Sequence, residues 1–310
     1  MPIIWIGLII VGVIGITCLI LSHFELHRLV VTEYEIASPK LEQIWEGYRI
    51  AVLGDLHNNE FGENNETLIR AVKDANPDII LIVGDLMVVK EWKEKDFSVT
   101  DTILKGLSKL APVYYANGNH ELRMEQSPEQ YPGWNQEFQQ ILKKYQIHYL
   151  VDQTVLLKKG GTTIALSGLN IGEEYYQFKG KKRQMPPCYI ENKIGNPKKD
   201  QFHILMAHTP LYVEEYAQWG ADLVFSGHFH GGTIRLPILG GVMTPQMQFF
   251  SGLDRGLVKR GETRMIVTGG LGTHSINIRL NNPPELVMVT LRSGDRNDRY
   301  QKGKRVRKKL

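Results

Sequence analysis

Half of the ten histidines fall in five short polar clusters: Asp55-x-His57, Gly84-Asp85, Gly118-Asn119-His120-Glu121, His208, and Gly227-His228-Phe229-His230. Carboxylate and amide oxygens mixed with neutral imidazole nitrogens are the donor set of a first-row divalent metal, and too nitrogen-rich for a dedicated calcium site. Two such ions about 3.5–4 Å apart can clamp a phosphoryl group and acidify a shared water, which requires a bridging carboxylate among the donors. Taken singly, each cluster has an ordinary reading. An Asp-x-His is most often a turn, a Gly-Asp a helix-capping loop, and a histidine before Thr-Pro a packed side chain. The chemistry therefore depends on whether the chain brings all five together.

The elements between the clusters say how that is done. Residues 48–53 (YRIAVL) read as a buried strand that ends at Gly54-Asp55. Leu68, Ile69, Val72 and Ala75 recur at helical spacing until Asn76-Pro77, and residues 79–83 (IILIV) form a second strand ending at Gly84-Asp85. The stripe of Ile103, Leu104, Leu107 and Leu110 leads to residues 113–116 and the loop 117–121, a third repetition of the unit. A helix through Trp134 and Tyr145, a hairpin over 154–157 and 162–166, and buried strands at 203–207 and 222–226 follow. Residues 170–200 are polar and irregular and read as a long surface insertion. Strands at 233–236, 265–267 and 285–291 complete the chain. Each cluster thus follows a largely apolar run, where α/β folds place their chemistry.

In this order the clusters resemble the calcineurin-like metallophosphoesterase superfamily, whose blocks are D-x-H, G-D-x-x, G-N-H-[DE], a lone H and G-H-x-H. The segment 226–236 (SGHFHGGTIRL), with Gly269-Gly270-Leu271-Gly272 and Pro284-Glu285-Leu286, is similar to a membrane-anchored bacterial subgroup that includes phosphodiesterases and UDP-diacylglucosamine pyrophosphohydrolase-like enzymes. The resemblance implies a four-layer αββα sandwich holding two divalent metal ions, Mn, Fe or Zn. It assigns Asp55, His57 and His230 to the first ion, Asp85 as the bridge, and Asn119, His208 and His228 to the second. It leaves His120 free to bind substrate phosphate or to protonate the leaving oxygen, with Glu121, where the family often has Asp, as its orienting partner. Arg123, Arg235 and Arg279 are further candidates for contact with phosphate.

At the amino end, residues 3–21 carry no charge across nineteen positions, with eight isoleucines and three glycines on all faces. At about 1.5 Å per residue this nearly covers a ~30 Å hydrocarbon core, and the lack of a basic start and of a small-residue exit favours a retained anchor over a cleaved signal. Flanking charges leave the orientation open, an extracytoplasmic catalytic domain being one of its two outcomes. Of the net charge of +4, residues 295–310 alone carry +6, so the rest sums to −2. A basic face spread over the fold, and with it specific nucleic-acid binding, is not expected. Cys18 and Cys188, the only cysteines, make no disulfide framework.

The expected organisation is an anchor at 1–24, a linker at 25–47, the α/β catalytic domain at 48–292 and a basic tail at 293–310. Residues 302–309 of that tail are placed to attract anionic lipid or wall polymer. The expected activity is hydrolysis of a phosphoester or pyrophosphate bond in a small-molecule or lipid-linked substrate, by in-line attack of a metal-bound hydroxide. A phosphoprotein phosphatase, a nucleic-acid phosphodiesterase and a non-catalytic metal-binding scaffold are the alternatives.

Overall fold

The computed structural model describes residues 2–176, 182–244, 248–273, 277–295 and 298–305. In chain order the strands are β1 (Val30–Ser38), β2 (Arg49–Leu53), β3 (Ile79–Ile82), β4 (Val113–Tyr115), β5 (His148–Tyr149), β6 (Gln153–Lys159), β7 (Thr162–Leu169), β8 (His203–Ala207), β9 (Leu223–Ser226), β10 (Arg235–Leu236), β11 (Gly240–Gly241), β12 (Gly256–Arg260), β13 (Thr263–Val267), β14 (Glu285–Ser293) and β15 (Arg299–Arg305). The helices are α1 (Pro2–Leu26), α2 (Glu66–Ala75), α3 (Ser98–Leu107), α4 (Asn119–Gln126), α5 (Trp134–Lys144), α6 (Tyr189–Ile194) and α7 (Val213–Trp219). One sheet has the order β15-β1-β14-β2-β3-β4-β5 and the other β12-β13-β9-β8-β7-β6. Within them β2, β3, β4 and β5 run parallel, as do β7, β8, β9 and β13.

Period-two alternation sorts each strand between two cores. Ile50, Val52, Ile79 and Leu81 point inward and meet Ile164, Leu166, Ile204, Met206, Leu223 and Phe225 of the facing sheet. Their neighbours Ala51, Leu53, Ile80 and Ile82 point outward and pack under Leu68 and Val72 of α2, Ile103 and Leu107 of α3, and Phe138 and Leu142 of α5. On the other outer face Leu205, Val224 and Met265 are covered by Val213, Tyr216 and Trp219 of α7 and by Ile190 of α6. Three apolar seams between four layers make the αββα sandwich, and each fully buried Leu, Ile or Val in them contributes about 1.5–3 kcal/mol.

Three segments differ from the expected organisation. Residues 25–47 are not a free linker, because β1 lies inside the first sheet, parallel to β14 and antiparallel to β15. Val30, Thr32, Tyr34 and Ile36 alternate inward, and Thr32 Oγ1 donates to Glu285 at 2.5 Å, so the Glu- and Tyr-rich composition concealed a strand. The tail likewise contributes β15, whose backbone pairs with β1; the side chains of residues 301–310, and with them the basic cluster at 302–309, lie outside the described residues. The insertion at 170–200 is not simply a surface loop, since α6 and the buried Tyr175, Tyr176 and Ile190 are built into the outer core; residues 177–181 lie outside the described ones.

Helix α1 is 25 residues long, about 37 Å at ~1.5 Å per residue, which is long and apolar enough to cross a bilayer. From Ile4 to Leu21 every side chain but the half-buried Cys18 is exposed. The helix meets the body at Ser22, which is buried and accepts a hydrogen bond from the Arg279 amide at 3.0 Å.

Candidate metal centre

The carboxyl ends of β2, β3, β4, β8 and β9 converge at one edge of the sandwich, and the polar clusters are the residues that follow them. The loops are stitched to one another by backbone bonds: Asp55 N–H to Gly84, His57 N–H to Asp85, Gly227 N–H to His208 and Gly272 N–H to Asp55. Five of the seven expected ligands, Asp55, His57, Asp85, His228 and His230, sit at positive φ between 49° and 68°. Left-handed backbone costs an L-residue about 1–3 kcal/mol and persists only where its surroundings enforce it, as at functional sites. Glycine supplies the clearance: a Cβ on Gly118 would lie 2.2 Å from Asp85 Oδ1, and one on Gly227 2.4 Å from Asp55 Oδ2.

Two triads of expected ligands result, and a third group of donors, His57, Asp85 and His120, lies beside them. Asp55, His57 and His230 bring one ligand atom each within 4.8 Å of one another, as do Asp85, His208 and His228. His57 and His230 stack with centroids 4.8 Å apart and face each other Nε2 to Nε2 at 3.1 Å, with Asp55 Oδ1 3.5 Å from His230 Nε2. His208 Nε2 lies 3.1 Å from Asp85 Oδ2 and 3.7 Å from Asp55 Oδ1, and His57 Nε2 lies 3.8 Å from Asp85 Oδ2, so Asp85 stands between the triads. Its other oxygen accepts the His120 amide at 2.9 Å.

Hydrogen bonds behind the rings choose the tautomers. His208 Nδ1 lies 2.6 Å from the Val83 carbonyl and His230 Nδ1 3.0 Å from the Gly272 carbonyl, so each Nδ1 carries the proton and Nε2 offers its lone pair inward. Asn119 Oδ1 is buried with no hydrogen-bond partner among the described residues, an acceptor that an ion would satisfy. Two adjoining buried carboxylates also need compensating charge. Burial pushes the Asp55 carboxyl up to about 7, with the His208 charge working against that and Asp85 adding to it. Burial acts on Asp85 in the same sense, but His208, His120 and His57 together hold it well below the usual carboxylate range. His208 is raised to about 10, burial opposing and the Asp85 and Asp55 charges prevailing. Without cations, protons take the positions that cations fit. Donor types, inward lone pairs and an unsatisfied oxygen all suit divalent metal.

A family model described as calcineurin-like phosphoesterase matches residues 48–232, more than half of the chain. The chain belongs to the calcineurin-like phosphoesterase family. It is similar to the uncharacterized metallophosphoesterase YkuE of Bacillus subtilis, 24% identical over 278 residues that cover 87% of this chain and 88% of that one. It is also similar to the phosphodiesterase YaeI of Escherichia coli, 25% identical over 79% of this chain and 82% of that one. A third relative, a transmembrane protein with metallophosphoesterase domain from Danio rerio, is 27% identical over 84% of this chain but only 57% of its own length. As a calcineurin-like phosphoesterase the chain is a hydrolase of phosphoester bonds.

Other side chains of this phosphoesterase lie elsewhere than expected. Glu121 does not orient His120. Its Oε2 accepts the Asp85 and Gly118 amides at 2.9 and 2.8 Å, and its Oε1 accepts the Leu86 amide at 3.2 Å and the Tyr115 hydroxyl at 2.5 Å. It is a buried clamp on the loops that carry Asp85 and Asn119; burial and the neighbouring Asp85 charge push it up to about 7. His120 Nδ1 instead meets Val89, whose amide lies 2.8 Å and carbonyl 3.0 Å away.

The three arginines are committed to the protein. Arg123 donates to the Val89 carbonyl at 2.7 Å and pairs with Glu173. Arg235 pairs with Asp254 and donates to the Gly231 carbonyl at 2.8 Å. Arg279 is buried and spends both terminal nitrogens on the carbonyls of Gly269, Gly270, Gly272 and Asn282.

Two positioning residues escaped the sequence. Asn282 Nδ2 holds the His230 carbonyl at 2.7 Å, and the buried Tyr176 packs its ring 5.0 Å from His228 and 5.9 Å from His208. Neither left a distinct signal, Tyr176 being one of several aromatic residues in the 170–200 insertion, beside Tyr175, Phe178 and Tyr189.

Proposed function

We propose that this chain is a membrane-anchored hydrolase of phosphodiester or pyrophosphate bonds in substrates held in or near a bilayer. The observation that carries this reading is the pair of buried triads, Asp55-His57-His230 and Asp85-His208-His228, joined at Asp85. In it, Asp55, His57 and His230 would hold one divalent ion and Asn119, His208 and His228 the other, with Asp85 standing between them. Bound there, the ions would polarise a phosphoryl group and lower the pKa of water between them. Similarity to a named phosphodiesterase favours a diester, and α1 favours a lipid-linked one.

His120 is the acid that protonates the departing oxygen. As an imidazolium, His120 donates Nδ1–H to the Val89 carbonyl 3.0 Å away and carries its second proton on Nε2, the nitrogen remote from Val89, so that loss of the Nε2 proton to the leaving oxygen returns the neutral ring. The ring stands edge-on to His57, with centroids 5.0 Å apart, and shares a donor cluster with His57 and Asp85, within reach of a phosphoryl oxygen bound between the triads.

The test is turnover of the full chain in detergent micelles on phosphate monoesters, diesters and nucleotide-sugar lipids with Mn²⁺, Mg²⁺ or Zn²⁺, alongside metal analysis. Metal-dependent cleavage that favours lipid-linked diesters or pyrophosphates is the expected result. A folded protein that binds metal but cleaves none of them would overturn the catalytic reading.

A further inference from the structure

Between Arg235 and Asp254 the sequence has no charged residue, a run of eighteen positions. Its described part is a small two-stranded hairpin with an added bridge: β10 pairs antiparallel with β11, and Met243 bridges to Phe249, with Phe250 N–H bonded to the Val242 carbonyl. An uncharged surface segment ordinarily turns its apolar side chains into the core, but five in this one point out. Leu236, Ile238, Leu239, Phe249 and Phe250 are all exposed, Ile238 completely. Ile238 also sits at φ +71°. A β-branched residue is a conformational outlier there, so the turn holds an isoleucine at its tip against local preference. Clustered exposed apolar side chains mark contact surfaces.

The position of the hairpin identifies its partner. Ile234 bridges to Leu280, and Arg235 N–H donates to the Leu280 carbonyl at 2.9 Å. The adjacent Arg279 amide donates to Ser22, the residue where α1 leaves the protein body. The root of the hairpin therefore lies level with the point where the exposed apolar helix emerges. Between them runs a cleft of about 610 Å³ lined by Glu25, Arg28, Arg235, Arg255, Asn281 and Tyr300, a polar and aromatic rim of the kind found at a membrane interface. On the inner side the hairpin joins the metal centre, since Arg235 holds the carbonyl of Gly231, next to His230.

We propose that this hairpin is a second membrane contact: Ile238, Leu239, Phe249 and Phe250 dip into the bilayer that α1 spans and hold the metal centre against the lipid surface. The proposal rests on the reading of α1 as a membrane anchor and goes beyond it, since an anchor alone leaves the domain free to tilt. A lipid-borne phosphate would then reach the site laterally from the membrane.

The test uses the full chain with Cys18→Ser and Cys188→Ser, carrying one new cysteine at a time: Leu239→Cys on the hairpin, Ile14→Cys in α1, or Lys199→Cys at the far end of the sandwich. Each is labelled with an environment-sensitive fluorophore and reconstituted into phosphatidylcholine–phosphatidylglycerol vesicles, with or without brominated acyl chains. The expected result is loss of fluorescence to brominated lipid at 239 as well as at 14, with 199 unaffected. Quenching at 14 with 239 behaving like 199 would overturn the hairpin contact and leave the anchor standing. Absence of quenching at 14 and 239 together would remove the anchor reading and this inference with it. A blue-shifted but unquenched probe at 239, with energy transfer between copies, would assign the surface to a second chain instead and overturn the proposal.

Discussion

Replacing Glu121 by glutamine separates two roles for this carboxylate that make opposite predictions. The carboxylate accepts four hydrogen bonds, two on each oxygen. Glutamine has one acceptor oxygen, so either the Asp85 and Gly118 amides or the Leu86 amide and the Tyr115 hydroxyl must face an NH₂ group. The second arrangement is milder, because the hydroxyl can rotate and accept, which leaves the Leu86 amide unpaired in a buried site. An unsatisfied buried donor costs about 1–3 kcal/mol, and the remaining bonds lose their charge assistance. A net loss of about 2–3 kcal/mol corresponds to a melting temperature about 4–12 °C lower in a domain of this size. Because Asp85 rides on the same loop, metal affinity should also fall, by about 10–100-fold. Differential scanning fluorimetry and metal titration of Glu121→Gln measure both. If the variant melts normally and binds metal normally but shows an altered pH profile of turnover, the clamp argument is wrong, and Glu121 acts on His120 after all.

Asp85→Asn should lose both metal ions and nearly all turnover while the two-sheet core still folds; retained dinuclear metal on elemental analysis would show that the bridge lies elsewhere. His120→Ala should keep its metal and lose about 10²–10⁴-fold in turnover on alkyl phosphoesters, with a smaller loss on 4-nitrophenyl esters, whose leaving group needs no proton. Equal single-turnover losses on the two substrates would reduce His120 to a phosphate-binding role. In the metal-free protein, Asp55 and His208 titrate near 7 and 10 in place of their ordinary 3.8 and 6.5, so folding is favoured most below the ordinary values and that advantage is lost as pH rises through the raised ones. The gain in melting temperature on adding Mn²⁺ should therefore grow between about pH 6 and pH 8.5, as the cation displaces protons. A gain independent of pH would contradict this.

The candidate donor cluster was legible because such chemistry restricts residue type and the fold restricts position. Asp55, Asp85, His208 and His228 each stand within a few residues of an apolar strand, and local pattern sees both facts. Partners are another matter. Glu121 follows His120 in sequence, yet α4 begins at Asn119, and its first turn aims the carboxylate back at the amides of Gly118 and Asp85. Arginines on glycine-rich loops suggested phosphate, but Arg279 is buried beneath the loop it braces. Strand β1 shows a different failure. Its alternation of Val30, Thr32, Tyr34 and Ile36 against Val31, Glu33 and Glu35 was readable, but the buried Thr32 is polar and finds its companion, Glu285, far along the chain. The strand pairs with β14, more than 250 positions away, a separation that no local window spans.

That long-range pairing also ties the anchor to the chemistry. The Gly272 carbonyl accepts from both Arg279 Nη2, at 2.6 Å, and His230 Nδ1, at 3.0 Å, so its two lone pairs fix an arginine and a metal-facing imidazole together. Arg279 in turn donates its amide to Ser22 at the root of α1, and the next residue but two, Asn282, holds the His230 carbonyl. One short path of hydrogen bonds thus runs from the root of α1 through Arg279 and the Gly272 carbonyl to Nδ1 of His230, the ring whose Nε2 faces Asp55 and His57. Residues 29 and 30, immediately after α1, are buried, and β1 continues without a break into the first sheet. A soluble form must consequently begin before Leu29. A start at Glu33 would remove Val30, Val31 and Thr32 from an interior strand, and with them the hydroxyl that satisfies Glu285, the carboxylate paired with Arg255 and bonded to the Gly269 amide at the start of the same loop.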